Sequence, residues 1–266
     1  MRRDSVANTF LVAGVLCIVC SVLVSVTAVA LREQQRQNAE KEFSMNILEC
    51  CGLASETVDI EQVFQDKIER RVVELASGQF VDSTVYSKLG IDPGSYDIKQ
   101  ILRTDGLYDL LDRDRDTASI KRLEKYAVVY LYREEGQLKQ VILPIRGYGL
   151  WSTLYGFISL DAELENIQGI TFYEHKETPG LGGEVDNLKW KQQWYGKTAF
   201  TPDGDVKVEV VRGKASDASY QVDGLAGATI TTRGVSNLVK FWLGPDGFGV
   251  FLDKRPFIEN PAVADG

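Results

Sequence analysis

Residues 126–145 read YAVVYLYREEGQLKQVILPI. Two runs rich in Val, Ile, Leu and Tyr, 126–132 and 138–145, flank Glu134-Glu135-Gly136. Such residues suit a pleated, buried surface and glycine supplies the reversal, so the stretch predicts an antiparallel hairpin. Working outward, residues 153–160 (TLYGFISL), 169–173 and 206–211 (VKVEVV) read as further strands. Residues 189–195 (KWKQQWY) read as a short helix, and 232–243 as a final helix closed by Gly244-Pro245. Toward the N-terminus the pattern turns helical. Asp59 with Gln62 resembles a capping box, and Ile60, Val63, Phe64, Ile68, Val72 and Leu75 then recur at helical spacing up to Gly78. Residues 82–118 are charged and irregular, with Gly90, Pro93-Gly94 and the run DRDRD at 112–116. That run lacks the glycine and terminal glutamate of a calcium loop and reads as solvated surface. No internal repeat is evident. Helices first and strands behind them predict an α+β fold with a largely antiparallel sheet and flanking helices.

The start of the chain has a different character. Residues 10–31 (FLVAGVLCIVCSVLVSVTAVAL) carry no charge, and as a helix they span roughly 33 Å, enough for a bilayer core. A cleaved signal peptide is the competing reading, with Arg2 and Arg3 in front and Ala28-Val29-Ala30 as the cleavage site. Its apolar region is normally only ~7–15 residues, so the run predicts a single uncleaved anchor. Flanking charges do not fix orientation; the short tail favours the N-terminus inside and the body outside. Residues 32–48 (REQQRQNAEKEFSMNIL) continue or closely follow this helix, and Gly52 is a plausible stop. The expected organisation is a tail over 1–9, a membrane helix over 10–31, and a helical and irregular membrane-proximal part over 32–124. The remainder, 125–266, is expected to form the ligand-bearing part of one soluble domain.

Composition removes several functions. The chain has 266 residues, with 30 Lys and Arg against 38 Asp and Glu. Arg2, Arg3 and Asp4 are the only charges before residue 32, so the rest carries 28 basic against 37 acidic residues, a net of −9. Phosphate backbones need a basic face, so nucleic acid is excluded as a main partner. The single histidine, His175, rules out sites needing two, and a Ser-His-Asp triad would have to use it. Cys17 and Cys20 lie in the apolar run and read as helix-packing residues; Cys50 and Cys51 are adjacent and read as packed thiols, with a vicinal disulfide as the alternative. No cysteine follows them, so a Cys-held metal or cluster in the body is not expected.

Three glycine-rich segments carry the chemistry. Gly147-Tyr148-Gly149-Leu150-Trp151-Ser152 lies between two predicted strands, where glycines admit close backbone approach and Trp151 offers an aromatic face. His175-Lys176-Glu177-Thr178-Pro179-Gly180-Leu181-Gly182-Gly183-Glu184 follows a strand and can present backbone N–H groups to an anion or a flavin edge. Asp223-Gly224-Leu225-Ala226-Gly227-Ala228-Thr229-Ile230-Thr231-Thr232 leads into the last helix. Small residues, Gly227 and Ala228 among them, clear space around Thr229, and a helix N-terminus suits a phosphate. Each segment also has a plain reading: a turn beside a core tryptophan, an ordinary connection, and a helix capped by Thr231 or Thr232.

Taken together and in order, G-x-G-L-W-S, H-K-E-T-P-G-L-G-G and D-G-L-A-G-A-T resemble the covalent FMN-binding domains of membrane electron-transfer complexes. They are most similar to the NqrC family of the Na⁺-translocating NADH:quinone oxidoreductases (Nqr complexes), and the likeness runs from the anchor through the final helix. The related RnfG family of Rnf complexes shares the last two motifs and is the alternative. The resemblance implies FMN esterified through its phosphate to Thr229 by a separate flavin transferase. Glu177, Thr178, Gly180, Leu181 and Gly182 would form the flavin-side loop, and Leu150 and Trp151 the other wall. Ala226 departs from the Ser or Thr usual there, which removes a hydroxyl but leaves the acceptor. The implied function is electron relay from NADH towards ubiquinone, coupled to Na⁺ export. It would take place among the other subunits of an Nqr complex in the lipid of a bacterial inner membrane, with the soluble domain on the periplasmic side. Thr229 would be a tether with no acid or base role, and no catalytic or metal-binding residue is implied. No G-x-G-x-x-G follows a predicted strand, so the isolated chain is not expected to oxidise NADH. Two other classes stay open: an anchored extracytoplasmic binding or sensor module, and a hydrolase using His175. The hydrolase lacks a G-x-S-x-G elbow.

Overall fold

A computed structural model describes residues 6–54 and 59–258; residues 1–5 of the expected tail and 259–266 of the expected domain lie outside them. The chain divides into two units, Met1–Phe43 and Ser44–Gly266.

Helix α1 (Val6–Cys50) makes up the described part of the first unit and enters the second. It is long and apolar enough to cross a membrane. Its Leu, Val, Ile and Phe side chains between residues 10 and 31 are exposed all round, an apolar surface of the kind a bilayer core accommodates. The polar run from Arg32 continues the same helix, as expected. It stops where Gly52 takes φ +74°, a value that costs glycine nothing.

In the second unit α2 (Ile60–Lys67) leads into β1 (Ile68–Glu74) and β2 (Gln79–Phe80). After α3 (Ser83–Lys88) and α4 (Ile98–Ile101), β3 (Tyr108–Leu110) and β4 (Arg122–Glu124) pair as a small ribbon. The central strands follow: β5 (Tyr126–Glu134), β6 (Gln137–Tyr148), β7 (Thr153–Asp161) and β8 (Ile167–Glu174). A six-stranded antiparallel sheet results, in the order β2-β1-β5-β6-β7-β8. The predicted hairpin is β5–β6, turning at Glu135 and Gly136, both at positive φ. Then come α5 (Leu188–Lys191), the short parallel pair β9 (Glu209–Val210) and β10 (Gln221–Val222), α6 (Thr229–Leu243) and α7 (Gly249–Lys254).

The sheet is covered on both faces, which is why β5 reads as a continuous apolar run. Val129, Leu131, Val141, Leu143, Ile145, Leu154 and Ile158 pack in one core with Val235, Leu238 and Trp242 of α6. The opposite face meets the end of α1 and α2. There Cys50 Sγ donates to the Phe157 carbonyl (3.5 Å), Thr171 Oγ1 donates to the Asn46 carbonyl (3.1 Å), and Phe64 meets Tyr130 edge-on. A Cβ on Gly169 would collide with the Cys50 carbonyl. Cys50 and Cys51 are free, buried thiols, and burial raises the pKa of both.

Three sequence expectations need correction. The helix read over residues 60–75 ends at Lys67, and Ile68–Glu74 is a strand held by β5. The strand read over 206–211 contracts to Glu209–Val210, because only this step finds a partner strand. The final helix read over 232–243 begins three residues earlier, at Thr229. Asp59 caps α2, as expected, by accepting from the N–H groups of Glu61 and Gln62 (3.1 and 3.3 Å). In the DRDRD run Asp116 accepts from the N–H groups of Ile120 and Lys121 (2.7 and 2.8 Å), and Arg115 pairs with Asp246.

Candidate functional site

The β6–β7 turn forms one wall. Gly149 N–H donates to the Ser152 carbonyl (2.9 Å) and closes the turn. Leu150 and Trp151 stand 39% and 63% exposed at its tip, so Trp151 is not the core tryptophan a plain turn would give. The two flanking glycines are required by space. A Cβ on Gly147 would collide with Leu238 of α6, and one on Gly149 would lie 2.6 Å from Glu177 Oε1.

The loop after β8 forms the second wall. Thr178, Pro179, Gly180 and Leu181 are exposed, and Gly180 turns at φ +75°. The Thr178 carbonyl accepts from the N–H groups of Leu181 and Gly183 (3.1 and 2.9 Å), which folds the loop back on itself. Glu177 is buried, at 5% exposure, and points inward. Its Oε1 accepts from the backbone N–H groups of Leu150, Trp151 and Ser152 at 3.1, 2.9 and 3.3 Å. Its Oε2 accepts from Thr231 Oγ1 at 2.7 Å. Gly182 is buried beneath this group, and a Cβ there would sit 2.6 Å from Thr231 Oγ1 and 2.7 Å from Glu177 Oε2.

The entry to α6 is the third element. Its cap residue is Ala228, which makes no side-chain hydrogen bond. The N–H groups of the first helical turn have no acceptor within the helix and keep their partial positive charge. Thr231 and Thr232, expected as caps, do other work: Thr231 binds Glu177, and Thr232 Oγ1 accepts from Leu225 N–H at 3.0 Å. Thr229, Ala226 and Gly227 are exposed, while Ala228 is buried. Gly227 has φ +72°, and a Cβ there would approach Leu181 Cδ2 to 2.9 Å, so this loop lies against the second wall. Asp223 is fixed by Lys214, by Ala215 N–H and by Gln193, and the Lys214 hydrogen bond is the main cause that lowers its pKa.

All three predicted segments therefore converge, with Glu177 as their common point. The convergence leaves Leu150, Trp151, Leu181 and Ile230 exposed around an uncapped helix N-terminus. A ligand with a flat apolar ring and a phosphate fits that combination: the ring covers side chains that water solvates poorly, and the phosphate meets free N–H donors. A flavin mononucleotide has both parts. His175 is not arranged for hydrolysis. Its Nδ1 accepts from Glu177 N–H (3.2 Å) and its Nε2 meets Asp186 (2.8 Å), while the nearby Ser152 Oγ accepts from Lys176 N–H. The Asp186 hydrogen bond raises the pKa of His175 against the opposing effect of burial. Thr231 is the participant that sequence reasoning placed in another role. Its signal, a hydroxyl in the first turn of the helix, is shared by ordinary caps.

Residues 149–244 match the family described as the FMN-binding domain, the class that the fold and the three loops define. Over 258 residues the chain is 46% identical to a Pseudomonas aeruginosa protein named as the C-subunit of Na(+)-translocating NADH-quinone reductase, covering 94% of this chain and 96% of that one. It is 41% identical to the protein of that name from Yersinia pestis, covering 95% and 94%. The chain belongs to this family, the NqrC proteins of the Na⁺-translocating NADH-quinone reductases. Among solved structures, Shewanella oneidensis NqrC superposes with a TM-score of 0.72 at 27% identity, covering 82% of this chain and 98% of that one. The corresponding protein from Parabacteroides distasonis gives 0.62 at 26% identity, covering 86% and 98%.

Proposed function

We propose that this chain is the electron-carrying NqrC component of a Na⁺-translocating NADH:ubiquinone oxidoreductase and holds one FMN through a phosphoester to Thr229. Family membership supports the complex and its other subunits as partners, and it favours NqrC over the RnfG alternative. The observation that carries the attachment is the placement of Thr229, exposed at a helix N-terminus with no side-chain cap and bordered by two apolar walls.

When bound, FMN supplies reversible one- and two-electron transfer. The chain's residues do the rest. Thr229 tethers. The first turn of α6 offsets phosphate charge with its free N–H groups. Gly227 and Ala228 keep the approach to the hydroxyl clear. Leu150 and Trp151 on one side and Thr178, Gly180 and Leu181 on the other hold the ring, while Glu177 and Gly182 back the loops. No acid or base is needed at Thr229, because a separate flavin transferase makes the ester. α1 anchors the chain in membrane lipid as a single span, and residues 32–124 and 125–266 form its membrane-proximal and flavin-bearing parts. The soluble domain stands on the periplasmic side of the inner membrane, relaying electrons towards ubiquinone with coupled Na⁺ export.

Intact mass and peptide mapping of the protein from a membrane containing the transferase test this reading. A gain of one FMN less water on the Thr229 peptide, absent in Thr229→Ala, is expected. An unmodified Thr229 in that membrane would return the chain to the binding-module class.

A further inference from the structure

We infer that Glu177 and Thr231 are a positioning pair that sets the spacing between the Leu150–Trp151 wall and the anchoring turn of α6. The inference rests on the FMN reading of this site and deepens it. The Glu177 side chain points inward, beneath the exposed Leu150 and Trp151. Its carboxylate is buried and shared between two elements: Oε1 accepts from three successive N–H groups of the β6–β7 turn, and Oε2 accepts from the Thr231 hydroxyl at 2.7 Å and from the shared Leu150 N–H at 3.3 Å. A carboxylate loses its hydration on burial, so its remaining donors bind it strongly. Three of those donors are backbone groups, which cannot shift without moving Leu150 and Trp151 themselves. The fourth is two residues beyond Thr229 in the same helical turn. One buried group thus ties the aromatic wall to the helical turn that contains Thr229. Gly149 and Gly182, where a Cβ would enter hydrogen-bonding range of this carboxylate, keep the space it needs.

The geometry separates charge from position. In Glu177→Gln the amide oxygen can still accept from the turn, and the amide nitrogen can donate to Thr231 once that hydroxyl reverses. Glu177→Ala removes the link. Thr231→Val keeps the shape and removes only the hydroxyl.

The test uses the full chain, made with flavin transferase and FAD. It reads three quantities: FMN on the Thr229 peptide, the visible circular dichroism of the flavin, and amide exchange at residues 150–152. Thr231→Val and Glu177→Ala should speed that exchange about tenfold and reduce the visible dichroism per FMN to roughly half or less. The double variant should be no worse than Glu177→Ala, because both changes delete one shared interaction. Glu177→Gln should stay within about twofold of wild type. Wild-type exchange and dichroism in Thr231→Val would overturn the inference, and that variant decides alone if Glu177→Ala does not fold. If wild-type Thr229 carries no FMN the cofactor reading fails, and exchange at 150–152 still decides whether the pair positions the turn.

Discussion

At the scale of single residues, the site is built from glycines that do different jobs. Gly180 and Gly227 supply positive φ, whereas Gly149 and Gly182 supply room for a buried carboxylate. Gly182→Ala should therefore cost about 1–3 kcal/mol, the range for overpacking, because its neighbours are hydrogen-bonded and cannot yield; urea unfolding of the soluble unit measures this. His175 gives a pH-dependent term. Its folded pKa lies above the unfolded value, chiefly because Nε2 meets Asp186, although burial opposes it. The stabilisation is fully present below the unfolded pKa near 6.5 and is lost as pH rises through the raised folded value. Asp186 is half exposed, so the effect is small. Asp186→Asn should flatten the unfolding free energy as pH rises from about 6.5, the unfolded histidine value, and an unchanged slope would contradict the assignment. The sequence made the three loops legible as a set, but it did not reveal that Glu177 turns inward. Its partners lie 25 to 27 and 54 residues away, and no local pattern encodes them.

At the scale of elements, α6 opens with Thr229, the proposed tether, and is seated by close approach to β6. A Cβ on Gly234 would lie 2.5 Å from the Tyr148 carbonyl, and Trp242 Nε1 donates to the Arg146 carbonyl at 2.6 Å. Alanine at 234 gains at most ~1 kcal/mol of helix propensity. A backbone contact of that kind costs about 1–3 kcal/mol, so the clash wins. Gly234→Ala should lower Tm and loosen α6 at its N-terminal end, readable as faster exchange in the first turns of the helix. The central strands were legible because aromatic and β-branched runs met clear turn residues. The α2–β1 boundary was not, for a geometric reason. Ile68 and Val72 are four apart, a spacing that returns to the same face in a helix and in a strand alike. Pairing with β5 decides between them, and that partner begins more than fifty residues later. The two-residue strands β2 and β10 exist only through their pairing and leave no periodicity to read.

At the scale of the whole molecule, the boundary between units does not coincide with the end of a helix. Ile47 and Leu48 belong to α1 yet are fully buried in the second unit, where Glu49 also pairs with Lys191. A soluble fragment starting at Ser44 should fold. One starting at Leu53 should lose at least ~4 kcal/mol, the lower end for deleting two large buried aliphatic side chains. Comparing the thermal unfolding of the two fragments checks this, and equal Tm values would refute it. The exposure of Thr229 has a further consequence under the proposed chemistry. A prosthetic group joined by one ester on an open turn needs no enclosing cavity, so its dwell time is governed by the lifetime of a bond and not by a dissociation constant. Dilution or competition by free flavin would not strip it. On the proposed function the polypeptide crosses the membrane and folds empty, leaving installation of the cofactor as the last step of its biogenesis.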